Sequence, residues 1–294
     1  MNYYNEIKNE ILNNEITKKI KDYSKNKSDL TTYYNVGKLL SEAGKHYGEG
    51  IIKEYSKKLS KELNKNYSVS TLRYMRQFYE SGIHQTVSGE LTWSHYIELL
   101  PLTNSGEIIY YSDLIIKNNL SVRELRKRIK NKEYERLDES TKLKLIKQET
   151  LKVEDAIKNP IIINNRFNYE VISEKVLQKI ILEDIEEFMK ELGNSFCFIG
   201  SEYPIKVGCN YNYIDLLLYN IEFNCYVVIE LKITKLKKEH IGQIEVYMNY
   251  IDKNLSKPTQ DKTIGIILCK KDNKFIMEYC SDERIHIREY NLIK

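Results

Sequence analysis

Residues 211–233, YNYIDLLLYNIEFNCYVVIELKI, hold two apolar runs around a short polar link. Runs this rich in Ile, Leu, Val and Tyr read as β-strands. The link YNIEFN carries turn formers but no strong hairpin dipeptide. Strand alternation sends Ile214, Leu216 and Leu218 to one face, and Tyr213, Asp215 and Leu217 to the other. In the second run Val227, Ile229, Leu231 and Ile233 share a face, with Val228, Glu230 and Lys232 opposite. VVIELKI is apolar on both faces apart from its charged pair, the pattern of a central strand. Charges buried in such a strand need a partner or a metal.

Asp215 and Glu230 are equidistant from the Glu222–Phe223 step inside the link. Hairpin pairing in that register makes them cross-strand neighbours, about 4.5–5.5 Å apart at Cβ. Two carboxylates so close need a counter-charge. A hard cation such as Mg²⁺ takes carboxylate oxygens and water. Lys232 would stand beside such a cation's water, placed to orient it or to stabilise charge on a phosphate. The competing reading is a hairpin with one solvated face, on which all three are surface residues.

The rest of the chain is long enough, at 294 residues, for two domains with separate cores. Residues 1–135 are mostly of helical period. Ile7, Ile11, Ile16 and Ile20 make one amphipathic stripe, and Ser70 is a candidate cap for a helix carrying Leu72, Met75, Phe78 and Tyr79. LTWSHYIELLPL reads as a helix ended by Pro101, and Ser121 as a cap for the next. Positive charge gathers at Lys53, Lys57, Lys58, Lys61, Lys65, Arg73 and Arg76, and again at Arg123, Arg126, Lys127, Arg128 and Lys130. Short helices with basic faces suit nucleic-acid docking in the manner of a helix-turn-helix; solvated helix faces are the alternative. The formal net charge of +4 permits nucleic acid without demanding it.

Residues 136–163 read as a charged connector ending near Pro160, and residues 164–294 as a second domain. There a long helix is expected from Ser173 to Gly193, then short strands near 196–199 and 203–207, and then the hairpin. A helix over 237–252 follows, then the strand TIGIILCK, and a tail, KFIMEYC and RIHIREY, that alternates like edge strands. This is an α/β domain with a mixed sheet.

Other chemistries find little support. The cysteines, at 197, 209, 225, 269 and 280, form no CxxC pair, which argues against a disulfide framework or zinc knuckle and for a reducing, cytoplasmic setting. No run of eighteen apolar residues suggests a membrane span. Trp93 and His95 read as packing and capping, and His240 as a histidine at a helix start. GKHYGEG lacks the lysine-serine ending of a phosphate loop, and the serines show no triad spacing.

Asp215 followed by Glu230-Leu231-Lys232 resembles the D…ExK signature of the PD-(D/E)XK, restriction-endonuclease-like nucleases, although Ile214 stands where a proline is usual. FCFIGSEYPIKVG, YIDLLLYN, YVVIELKI and GQIEVYMNYID resemble the C-terminal domain of the bacterial DUF1016 family of predicted nucleases. YGEGIIKEYSKKLSKEL, SVSTLRYMRQFY, LTWSHYIELL and SVRELRKRI resemble its N-terminal domain. The resemblance implies an α+β multidomain protein: a helical, winged-helix-like DNA-binding domain joined to an α/β restriction-endonuclease-like domain. It implies Mg²⁺, or Mn²⁺, held by Asp215, Glu230 and the backbone carbonyl of Leu231, with Lys232 as the catalytic lysine. Gln243, on the following helix, would contact the site or the phosphate backbone, with Tyr247 one turn along. The acidic residue that sometimes joins such sites from the first helix falls nearest Gln178, with Glu174 close by. Lys57, Lys58, Lys61, Arg73, Arg76, Arg123, Arg126 and Arg128 are the expected nucleic-acid contacts. The expected activity is metal-dependent cleavage of DNA in restriction or defence, by a homodimer or with partner proteins. The alternative is a non-catalytic DNA-binding or assembly module.

Overall fold

The computed structural model describes residues 2–20, 25–83, 91–193, 195–272 and 282–294. They fall into two compact units, Met1–Tyr134 and Glu135–Lys294.

The first unit is built from α1 (Tyr3–Ile20), α2 (Lys25–Tyr47), α3 (Ile51–Glu62), α4 (Val69–Glu80), α5 (Trp93–Leu99), α6 (Ser105–Asn118) and α7 (Val122–Lys130). No strand occurs among its described residues, so helices alone define it there; residues 84–90, between α4 and α5, lie outside them. Ile7, Ile11, Val36, Leu40, Ile52, Leu59, Leu72 and Met75 fill one core, while the side chains of Ile16 and Ile20 lie outside the described residues. At the α2–α4 crossing a Cβ on Gly37 would stand 2.0 Å from the carbonyl oxygen of Met75, so the approach requires glycine. The cap of α4 is Ser68, whose hydroxyl accepts the Thr71 N–H, and not Ser70, which lies inside the helix. Trp93 packs edge-on to Phe78, centroids 5.4 Å apart, and His95 completes a capping box with Thr92.

The second unit carries a six-stranded sheet in the order β1-β6-β5-β4-β3-β2. The strands are β1 (Ile161–Asn164), β2 (Phe196–Val207), β3 (Asn210–Asn220), β4 (Cys225–Leu231), β5 (Asp261–Cys269) and β6 (Ile285–Ile293). β2, β3 and β4 are antiparallel neighbours, and β4, β5, β6 and β1 run parallel. The helices are α8 (Glu139–Lys147), α9 (Val153–Ala156), α10 (Glu174–Glu183), α11 (Ile185–Leu192) and α12 (Lys238–Asn254). Leu177, Ile181, Phe188 and Leu192 pack on one side of the sheet against Leu216, Leu218, Val227, Ile229 and Leu231. Ile244, Met248 and Ile251 of α12 pack on the other, against Val228, Ile267, Ile285 and Ile287. α12 lies so close to β5 that a Cβ on Gly265 would meet the Met248 sulfur at 2.5 Å.

Several expectations change. Residues 136–163 are no connector: they contribute α8, α9 and β1 and belong to the second unit. Arg288, buried on β6, fastens them. Its guanidinium donates to the Ile157 carbonyl at 3.1 Å, the Asp138 carboxylate at 3.2 Å and the Glu154 carbonyl at 3.2 Å. β6 is consequently an interior strand, because β1 takes the edge beside it. KFIMEYC lies outside the described residues. The expected long helix breaks at Asp184, which leaves helical geometry at φ −137°, ψ 45°. The two short strands are one, β2, with a bulge between Phe198 and Gly200.

Candidate active site

β3 and β4 pair with Leu216 opposite Ile229 and Asn220 opposite Cys225, the expected register. The Asn220 side chain helps close the loop by accepting the Phe223 N–H at 3.0 Å. One more step would set Asp215 against Glu230, but the ladder ends at Leu216. Asp215 instead turns its carboxylate into the gap, where Oδ2 accepts the Leu231 N–H at 2.8 Å. The strand's alternation breaks here. Leu216 and Leu218 pack toward α10 and α11, whereas Ile214 packs toward α12 together with Leu217. Beside the break, Glu202 of β2 adopts φ 46°, in the left-handed region that non-glycine residues enter at a cost. The simple two-face assignment of Ile214 with Leu216 therefore fails: a period-2 reading cannot anticipate a carboxylate that substitutes for a strand carbonyl.

Glu230 is 2% exposed. Its Oε1 accepts from Lys232 Nζ at 2.7 Å, and its Oε2 has no hydrogen-bond partner among the described residues. Burial, then the charge of Asp215, push the Glu230 pKa up to about 7, against the pull of Lys232. Burial also raises the Asp215 carboxyl; the Leu231 N–H and Lys232 oppose that, while Glu174 and Glu202 add to it. Burial works against the charge on Lys232, but Glu230, Glu174 and Asp215 outweigh it and hold the ammonium raised. Lys232 Nζ lies 3.5 Å from Glu174 Oε2, and its backbone N–H holds to the Leu268 carbonyl at 2.8 Å.

Two helix starts frame this group. α10 begins at the Ser173 cap, which brings Glu174 to Lys232; one turn on, Gln178 Nε2 donates to the Asp215 carbonyl at 3.0 Å. Gln178 thus supports the strand backbone, and Glu174 is the acidic residue that reaches the lysine. α12 supplies Tyr247, buried, whose phenol is raised by burial and by the fields of Glu230 and Asp215. Gln243 donates to that phenol oxygen at 2.9 Å. His240 is buried, accepts the Lys237 N–H as a cap, and is held low by burial and by the charge of Lys232. Sequence reasoning missed Glu202: nothing in its spacing ties it to Asp215, and only the β2–β3 register brings them side by side.

Among the described residues no three His, Cys, Asp or Glu side chains converge as a metal cluster. The donor set is two carboxylates, one with a bare buried oxygen. That fits Mg²⁺, which is held by one or two carboxylates and completed by water and substrate phosphates.

In the first unit the eight expected contacts divide. Lys57, Lys61, Arg73 and Arg123 are exposed and make no ion pair among the described residues. Lys58 pairs with Glu54 at 2.7 Å, Arg76 with Glu49 at 2.8 Å and Arg126 with Glu98 at 2.5 Å. Arg128 is buried and bound to Glu133 at 3.2 Å, so it serves the core and is withdrawn as a surface contact.

A carboxylate pair and a lysine on the central strands of a mixed sheet, framed by helix starts, define the class as PDDEXK-type. Residues 154–293 match the YhcG PDDEXK nuclease domain and residues 6–136 the DUF1016 N-terminal domain, and the chain belongs to the DUF1016 family. It is similar to "Putative nuclease YhcG" of Escherichia coli (strain K12), 27% identical over 283 aligned residues, with 81% of this chain and 76% of that protein covered. Among solved structures, a repair endonuclease from Pyrococcus abyssi aligns at 20% identity and a TM-score of 0.30, over 42% of this chain and 48% of its own. The EndoMS-dsDNA2 complex aligns at 19% identity and a TM-score of 0.28, over 43% of this chain and 48% of its own. The chain spans about half the length of these solved structures. Among the described residues no helix is long and apolar enough to cross a membrane.

Proposed function

We propose that this chain is a metal-dependent nuclease that hydrolyses phosphodiester bonds in DNA. The reading gives Asp215, Glu230 and the Leu231 carbonyl as ligands of Mg²⁺, or of Mn²⁺ in its place. The observation that carries it is Glu230: a carboxylate inside a central strand, with one oxygen on Lys232 and the other bare. Lys232 meets one oxygen; the other is a buried acceptor whose lack of a partner is costly, and a cation would supply that partner. When bound, the cation supplies Lewis-acid polarisation and a water of lowered pKa.

The remaining work falls to side chains. Asp215 is fixed by the Leu231 N–H through Oδ2, and its backbone by Gln178. Lys232, kept charged between Glu230 and Glu174, orients the attacking water and stabilises charge on the phosphate. Gln243 acts through Tyr247 as a positioning residue. Lys57, Lys61, Arg73 and Arg123 supply phosphate contacts from the helical unit. A cytoplasmic setting in restriction or defence, with a second copy or partner proteins, belongs to the same reading.

The test is supercoiled plasmid with Mg²⁺, Mn²⁺ or chelator. Nicking is expected with metal and not with chelator, and Glu230→Ala should lose at least about a hundredfold in rate while keeping its DNA affinity. A Glu230→Ala protein that nicks at the parental rate overturns the site.

A further inference from the structure

β2 and β3 outrun the sheet. β3 pairs with β4 only over Leu216–Asn220, yet stays paired with β2 as far as Asn210 opposite Val207. Residues 203–207 and 210–214 therefore form a two-stranded ribbon that starts at Asp215 and extends past the β4 ladder. Ile205 and Ile214 turn one of its faces to α12. The other face carries Tyr213, across from Pro204, and Tyr211, across from Lys206. It is the side to which Leu216 and Leu218 turn, toward α10, but here the described residues leave it open: Tyr211 is 63% and Tyr213 56% exposed.

These are two of four tyrosines at least 36% exposed among the described residues, and they stand two apart on one strand face. Their spacing along the strand is about 6.8 Å, twice the roughly 3.4 Å axial rise per nucleotide of a stacked nucleic-acid strand. Lys206 Nζ lies 5.9 Å from the Tyr211 ring centre, so a cation accompanies the aromatic surface. Adjacent exposed rings with a lysine are the elements by which proteins hold unpaired bases: rings stack on base faces and cations take the backbone. Bases within an intact duplex offer no free face to such rings.

We propose that this ribbon binds a single nucleic-acid strand, bases stacked on Tyr211 and Tyr213 and a phosphate on Lys206, and delivers it to Asp215 and Glu230. The substrate class is then nucleic acid with an unpaired segment beside the scissile bond, such as a flap, bubble or frayed end. This rests on the nuclease reading above.

The experiment uses the full chain carrying Glu230→Ala, in chelator, so that binding is read without cleavage. The probes are a 2-aminopurine-labelled single strand and its blunt duplex. Stacking on the ribbon should change the 2-aminopurine fluorescence. Tyr211→Ala with Tyr213→Ala should abolish that change and weaken single-strand binding by about 10- to 100-fold, while the paired Phe substitutions preserve both. Lys206→Gln should weaken binding and flatten its salt dependence. Circular dichroism checks that each variant is folded. Alanine variants that bind the single strand within twofold of the parent, or that lose equal affinity for strand and duplex, overturn the ribbon. Failure of the nuclease reading appears separately, as plasmid nicking that survives Glu230→Ala.

Discussion

The helical unit and the sheet unit handle charge in opposite ways. In the helical unit the lysines of α3 lie in water: Lys57 and Lys61 are exposed, and Lys58 meets its helical neighbour Glu54. In the sheet unit Glu230 and Lys232 are buried, at 2% and 8% exposure, with Asp215 drawn in beside them. Surface charge is inexpensive to keep and says little by itself. Buried charge works against folding, so its persistence in a central strand signals chemistry. The helical unit contains an exception, the Arg128–Glu133 pair, which is tied into the core by the hydroxyls of Tyr110 and Tyr111 and reads as structural.

Four measurements break or sharpen that contrast. Lys232→Ala should slow plasmid nicking by on the order of 10²–10³-fold; a variant cutting at the parental rate would make the buried lysine structural, like Arg128. Arg128→Ala should cost about 3 kcal/mol of unfolding free energy, read by urea titration, because it removes the cation opposite buried Glu133. Acid should loosen the sheet unit through Asp155. Burial raises that carboxyl, but Lys144, the Lys152 N–H and Thr141 outweigh burial and hold its pKa below the ordinary value. Its contribution is therefore present above the ordinary carboxylate range and is lost as pH falls through the lowered value. Asp155→Asn should flatten that acid limb in a thermal-unfolding series. Lastly, Lys57→Gln and Lys61→Gln should change stability by less than about 0.5 kcal/mol. Each should also reduce the slope of log affinity for duplex DNA against log salt by about 0.9. An unchanged slope would leave the α3 lysines as solvated surface.

The hairpin is legible in the sequence because its signals are local. Two apolar runs, an alternating pattern and two equidistant carboxylates define a register, and Leu216 does face Ile229. α12 is equally readable from Ile244, Met248 and Ile251, which recur at helical spacing and are all buried. What stays hidden depends on contacts between distant residues. The four-residue strand β1 is too short to announce itself. It becomes a strand only because β6, more than a hundred residues away, lies beside it. The charges of 136–163 look solvated until Arg288 and Glu191 gather them: Glu191 accepts from Arg136 and from the Ile162 N–H. The helix break at Asp184 and the turned carboxylate of Asp215 are likewise decided by tertiary packing.

The edge made by β1 sets an order of assembly. The β3–β4 hairpin closes through residues 221–224 alone, whereas β1 must find β6 across more than a hundred. Local pairs form first and distant ones late. A nascent second unit would thus bring its acidic pair together before the Arg288 clamp exists, and a chain truncated ahead of Ile285 would leave Asp138, Glu154 and Ile157 without their shared anchor. Limited proteolysis during refolding should accordingly find residues 138–160 susceptible after the hairpin has become resistant.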